Sequence, residues 1–137
     1  MSDAGRLTPI DRMVEQDRAL LHRLEPTDAA ASVREGGVIV DIRSHEQRLA
    51  NGLVPGSIRV HRNVLEWRVD PSSGWCDPRF ERLSGPLIVM CQEGYSSSMA
   101  AATLQRLGFA PATDMVGGFE AWVAAGLPTE PLQNAIE

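Results

Sequence analysis

Leu87, Ile88, Val89 and Met90 form an unbroken apolar run between Gly85-Pro86 and a cysteine, and this stretch constrains the chain more than any other. A run this short, β-branched at its centre and with no polar residue alternating through it, reads as a strand buried on both faces, the habit of parallel sheets. It is followed by CQEGYSSS at 91–98 and by an Ala-rich segment in which Ala100, Leu104 and Leu107 recur at spacings of four and three. That pattern predicts a helix over 99–107, with Ser96, Ser97 and Ser98 as N-cap candidates and Gly108 as its stop. Cys91 therefore stands at the carboxyl end of a strand and just before the amino end of a helix.

A sulfur atom in that position is subject to a specific electrostatic bias. Unpaired N–H groups of the first helical turn, the positive end of the helix dipole and loop N–H groups turned inward all favour negative charge. Such a cysteine has a lowered pKa and spends more of its time as thiolate. Gly94 lets the loop curl with its N–H groups facing the concavity. The alternative is that Cys91 packs as a small hydrophobe at the end of an apolar strand.

With 137 residues the chain fits one domain able to bury a core without metal or disulfide staples. A formal net charge of -5 argues against nucleic acid or an anionic membrane surface as a partner, since either favours a basic face. No apolar run is long enough to span a bilayer, and MSDAGRLTP lacks the basic and apolar regions of an export signal. Cys76 and Cys91 are expected to be reduced thiols in a cytoplasmic protein.

Before the central run, Ile10, Met13, Val14, Leu20, Leu21 and Leu24 fall near helical spacing among charges, which predicts a helix over 9–24 opened by Pro9 and docked on the domain's outside, with His22 solvated. Residues 1–28 are thus expected to be a tail and an extra helix, 29–130 the main domain and 131–137 a second tail. Thr27 can cap a helix over 28–34, and Val38 to Val40 read as a short strand that stops at Asp41. Ser44 opens a helix to about residue 50, the Gly52, Pro55 and Gly56 bend delivers a strand over 57–60, and a helix over 61–70 begun by Asn63 turns Val64, Leu65 and Trp67 inward. A surface loop over 70–77 carries Cys76, read as incidental rather than as a resolving thiol. A strand over 112–116, Gly117-Gly118 and a helix over 119–125 close the pattern. Strands alternating with helices imply an α/β layer with parallel strands.

Three segments, in order, carry a family resemblance. Asp41-Ile42-Arg43 with Glu46, Arg48 and the G-x-x-P-G turn at 52–56 resembles the amino-terminal pattern of rhodanese-like domains; Cys91, Gly94 and Ser97 followed by a helix resemble their active-site loop; Asp114-Met115-Val116-Gly117-Gly118-Phe119 with Trp122 and Gly126-Leu127-Pro128 resembles their carboxyl-terminal pattern. The resemblance implies a three-layer α/β domain, a central mostly parallel sheet with helices on both faces. It also implies a single-domain sulfurtransferase in which Cys91 takes a sulfane sulfur from thiosulfate or a persulfide donor, small molecule or protein, and hands it to a thiol or cyanide without a cofactor. Gln92, Glu93, Gly94, Tyr95, Ser96 and Ser97 would then bind substrate, and Asp41 and Arg43 would form a salt-bridged loop behind them.

One departure matters. Loops of the family that favour thiosulfate carry Arg or Lys for the sulfonate; this loop carries none, so any such charge must come from elsewhere, with Arg59, Arg62 and Arg68 as candidates. Weak turnover of thiosulfate is the expectation. A Cys-x5-Arg phosphatase is disfavoured because Ser97 occupies the arginine position. A Cys-His hydrolase would need His61, the credible neighbour among His22, His45 and His61. No zinc-ligand spacing or phosphate-loop motif is present. The rival from another class is a noncatalytic or regulatory binding module on the same fold, and the oligomeric state is left open.

Overall fold

A computed structural model of the protein describes residues 5–132. Parts of both expected tails, 1–4 and 133–137, lie outside the described residues. The elements run α1 (Pro9–Arg18), α2 (Pro26–Arg34), β1 (Val38–Asp41), α3 (His45–Asn51), β2 (Ile58–Arg59), α4 (Leu65–Val69), β3 (Leu87–Met90), α5 (Ser96–Arg106), β4 (Ala112–Asp114) and α6 (Gly118–Ala124), with single 3-10 turns at Arg62–Val64 and Pro78–Phe80.

The sheet has strand order β2-β1-β3-β4, and every pair is parallel. β3 sits inside it and is buried along its whole length, as an apolar run without alternation requires. Successive side chains of a strand point to opposite faces, and β3 divides accordingly. Leu87 and Val89 join Leu65, Val69, Phe80, Ala100 and Leu104 in one core layer, while Ile88 and Met90 join Ala29, Met115, Phe119 and Trp122 in the other. Helices α4 and α5 thus cover one face, α2 and α6 the other, and the expected three layers are formed. No described helix is long and apolar enough to cross a membrane.

Local chemistry explains the helix starts. Ser44 caps α3 reciprocally, its Oγ accepting from the Gln47 N–H at 3.2 Å while Gln47 Oε1 accepts from the Ser44 N–H at 3.1 Å. Thr8 and Asp11 do the same for α1. Three differences from the expectation are the largest. α1 ends at Arg18 rather than near 24, because Leu24 pairs with Met115 as a parallel bridge on the outer side of β4. α2 starts at Pro26 with no side-chain cap, so Thr27 lies inside its first turn. In the short α4 only Leu65 and Val69 are buried, whereas Val64 and Trp67 face solvent and Asn63 caps nothing. Phe80, unnoticed in the sequence, fills the core beside them.

Candidate active site

Cys91 lies one residue beyond β3, where the strand hands over to α5. α5 begins at Ser96, earlier than the apolar spacing predicts, and Tyr95 at its N-cap offers no side-chain acceptor. The acceptor is the cysteine. Its Sγ takes a hydrogen bond from the Ser97 N–H at 3.4 Å and another from the Gly94 N–H at 3.1 Å. A capping oxygen ordinarily serves the second or third N–H of a helix; here sulfur does so, and negative charge on it is stabilised by the same dipole.

The loop closes this tightly because glycines let it. Gly94 has φ +89°, and a Cβ there would come within 2.6 Å of the Gly117 nitrogen. Gly118 has φ +62°, and a Cβ there would lie 2.5 Å from the Cys91 carbonyl oxygen. The double glycine therefore serves as the floor on which the loop backbone rests. From the start of α6, the Phe119 N–H donates to the Cys91 carbonyl at 2.9 Å and the Glu120 N–H to the Gln92 carbonyl at 3.1 Å.

Cys91 is 6% exposed, at the base of a cavity of about 270 Å³ lined by Ile42, Arg43, Ser44, Gln47 and the loop residues Gln92, Glu93, Tyr95 and Ser96. Its thiol is held below the ordinary value. Burial opposes ionisation, but hydrogen bonds from the Ser97 and Ser96 side chains and from the Ser97 and Gly94 N–H groups outweigh it. Ser97 has one hydroxyl proton, and Asp114 Oδ2 lies 2.8 Å away. With that hydroxyl donating to the carboxylate, Ser96 and the two backbone N–H groups remain to face the sulfur. Cys76, by contrast, has its thiol pushed up by burial and by Glu81, Asp77 and Asp70.

Two buried ionic knots flank the loop. On one side Asp41 accepts from Arg43 through Nε and Nη2, with Arg48 Nε 3.4 Å from the same carboxylate. The Arg43 side chain is fully buried, donates to Gly52 O at 2.7 Å and Gln92 Oε1 at 3.1 Å, and lies over the Phe119 ring at 3.9 Å. The residue expected behind the loop thus holds Gln92 in place. On the other side Asp114 accepts from the Ser97 and Ser98 hydroxyls and from Arg23 Nε at 2.7 Å. Arg23 and Arg18 were not singled out by the sequence. Both donate to the Gly94 carbonyl, at 3.0 and 2.8 Å.

The other expected residues are placed as follows. Gln92, Glu93, Tyr95 and Ser96 line the cavity, while Gly94 and Ser97 supply the N–H groups on Sγ. Glu93 and Tyr95 are exposed. Arg59, Arg62 and Arg68 do not line the cavity; Arg62 pairs with Glu66 one turn on, and Arg68 donates to the Trp75 carbonyl. None of His22, His45 and His61 lines it either. Among the described residues no cluster of three or more His, Cys, Asp or Glu is placed to hold a metal ion.

Comparison with known proteins bears on this arrangement. A family model described as the rhodanese-like domain matches residues 25–125. The thiosulfate sulfurtransferase GlpE of Stutzerimonas stutzeri is 37% identical over 100 residues, 73% of this chain and 83% of that protein. GlpE of Ectopseudomonas mendocina is 35% identical over 84% of this chain and 95% of that protein. Among solved structures, a Rhodopseudomonas palustris protein described as of unknown function and a possible tyrosine phosphatase superposes with TM-score 0.81 and 33% identity, covering 95% of this chain and 99% of its own. The cradle of amides around one sulfur, the order of the three sequence patterns and these likenesses converge: the chain belongs to the rhodanese-like domain family.

Proposed function

We propose that the protein is a sulfurtransferase that carries a sulfane sulfur as a persulfide on Cys91. Sulfur transfer is supported at the level of the family by the relatives named thiosulfate sulfurtransferase. The observation that carries the reading to this chain is the pair of N–H groups, from Gly94 and Ser97, aimed at Sγ at the base of an open cavity. The thiolate attacks the donor's outer sulfur; an S–S bond forms to Sγ, and the bond to the donor's inner atom breaks, its electron pair leaving on sulfite or on the donor thiolate. An acceptor thiolate or cyanide then attacks the outer sulfur and returns Sγ as thiolate. No general base is needed, since both leaving groups depart as anions, and the order of events is ping-pong. The inward N–H groups stabilise the charge that moves onto sulfur.

The cavity's charges support a persulfide over thiosulfate as donor. Arg43 is its cationic lining residue, and that guanidinium is buried and bonded to Asp41, Gly52 and Gln92. Glu93 is exposed at the rim. A dianion such as thiosulfate meets repulsion there, whereas a persulfide presents its outer sulfur without a sulfonate. The phosphatase alternative fails on the same ground, because Ser97 stands where a phosphate-gripping arginine would be.

The test is mass spectrometry after incubation with a low-molecular-weight persulfide or with thiosulfate. One added sulfur on Cys91, absent in Cys91→Ser and formed faster from the persulfide, is expected. No added sulfur from either donor would favour the binding-module reading instead.

A further inference from the structure

The loop around Cys91 contains no cation, yet two guanidinium groups reach it from the segment ahead of residues 25–125, the stretch that the family model matches. Arg18, at the end of α1, donates through Nη2 to the Gly94 carbonyl at 2.8 Å and through Nε to Ser98 Oγ at 3.0 Å. Arg23 donates to the same carbonyl at 3.0 Å while paired with Asp114. The two lone pairs of that carbonyl are thereby matched by two charged donors. Both arginines approach from behind the loop, and neither lines the cavity.

Gly94 is the pivot. Its N–H faces Cys91 Sγ at 3.1 Å, and its carbonyl faces the arginines. None of the described peptide bonds is cis, so the Tyr95 N–H in the plane shared with that carbonyl points away from the guanidinium groups. Gly94 itself presents its N–H to Sγ, and the same peptide leads into α5, whose Ser97 N–H faces Sγ too, so holding the carbonyl fixes the backbone between the cradle's two N–H groups.

We propose that Arg18 is a positioning residue of the sulfur-transfer site, a cation delivered from α1 that fixes the Gly94 carbonyl and so holds the amide cradle on Cys91. This rests on the reading of Cys91 as sulfur carrier, but its test does not need sulfur transfer to occur.

The neighbouring charges single Arg18 out. Asp41 is matched by Arg43 and Arg48 at the end of β1, and Asp114 at the end of β4 is matched by Arg23. Glu120 of α6 accepts from Gln92, and Glu93 on the loop is exposed. The hydrogen bonds of Arg18 go to neutral oxygens, and its guanidinium lies 5.3 Å from the Tyr95 ring centroid, so its charge acts on the loop without a carboxylate between. α1 packs on α5 with Val14 buried, and the Asp17–Arg106 ion pair ties the two helices together away from the loop.

The experiment is the pH dependence of Cys91 alkylation by iodoacetamide, with thermal melting alongside, in Arg18→Gln, Arg18→Lys and Arg106→Gln. In Arg18→Gln the midpoint rises by about half to one pH unit, and sulfur loading below that midpoint slows about three- to tenfold. Arg18→Lys, which keeps the charge but not the planar fork, recovers about half of the shift. Arg106→Gln loosens α1 without touching the loop and lowers the melting temperature while leaving the midpoint unmoved. Should Arg18→Gln fail to fold, Arg18→Lys carries the test: without the planar fork that spans Ser98 and Gly94, its midpoint still rises by about a quarter to half a pH unit and loading slows about two- to threefold at an unchanged melting temperature. An unmoved midpoint in Arg18→Gln, equal shifts in Arg18→Gln and Arg106→Gln, or unchanged loading in Arg18→Lys as the sole folded variant would overturn the proposal. Failure of the wild type to load sulfur, with these midpoints as expected, would overturn the persulfide reading and leave the positioning role standing.

Discussion

Gly118→Ala isolates how firmly α6 supports the cysteine loop, because a second glycine of nearly the same backbone conformation serves as its control. Gly118 has φ +62° and Gly126 has φ +74°, so alanine at either site carries about 1 kcal/mol of left-handed strain. Around Gly126 a Cβ meets nothing within 4 Å, and strain is its whole cost. At Gly118 the Cβ meets the Cys91 carbonyl oxygen at 2.5 Å and the Gln92 carbonyl carbon and oxygen at 2.8 Å, all backbone atoms that no rotamer change can withdraw. Separating them adds about 1–3 kcal/mol of overpacking. It also stretches the hydrogen bonds from the Phe119 and Glu120 N–H groups to those carbonyls, each worth about 1 kcal/mol. The expected losses are about 3–5 kcal/mol for Gly118→Ala and about 1 for Gly126→Ala, or roughly 10–20 °C against 3–5 °C in melting temperature for a domain of this size. Guanidinium unfolding of both variants followed by circular dichroism measures the difference. If Gly118→Ala loses no more than Gly126→Ala, the loop does not depend on its floor and the close approach carries no energetic weight.

Iodoacetamide near neutral pH is expected to label Cys91 before Cys76, because hydrogen bonds depress one thiol while burial and acidic neighbours raise the other; peptide mapping with Cys76 modified first would refute this. The depressed value of Cys91 belongs to the folded state, so the stability it contributes is fully present above the unfolded thiol value near 9.0 and is lost as pH falls through the folded value. The stability difference between wild type and Cys91→Ala should therefore shift in favour of wild type as pH rises toward 9.0, and a flat difference would contradict the assignment. Asp114→Asn leaves the largely buried Arg23 guanidinium without its countercharge and should destabilise by about 2–4 kcal/mol in urea unfolding, with a loss below half that arguing that the pair is incidental.

The sequence carried the central βα unit plainly. An apolar run, a glycine and a small-residue helix are local features, and β3, Gly94 and α5 follow from them with only the helix start displaced. The Ser44 cap and the double glycine were legible for the same reason: a cap or a left-handed turn is decided within a few residues. Elsewhere the signal was too short or too distant. A five-residue helix has too few turns to show which side is apolar, so Trp67 was expected inward and Val69 went unnoticed. Leu21 and Leu24 fitted a helical period, yet chain pairing beside β4 ended α1 at Arg18. Arg18 and Arg23 lie 76 and 71 positions from Gly94, and a long flexible side chain leaves no trace in sequence of what it will reach. Arg59, Arg62 and Arg68 were nominated by charge alone, and charge does not specify direction.

Leu24 also seals a margin. It bonds to both sides of Met115, donating its N–H to the Asp114 carbonyl at 3.0 Å and accepting from the Val116 N–H at 2.9 Å, so the outer row of peptide groups on β4 is partly occupied. Open strand margins recruit other chains into mixed sheets. A fragment trimmed to begin at Glu25 would keep the cysteine and every strand but bare that row, and would offer it to any strand that came near.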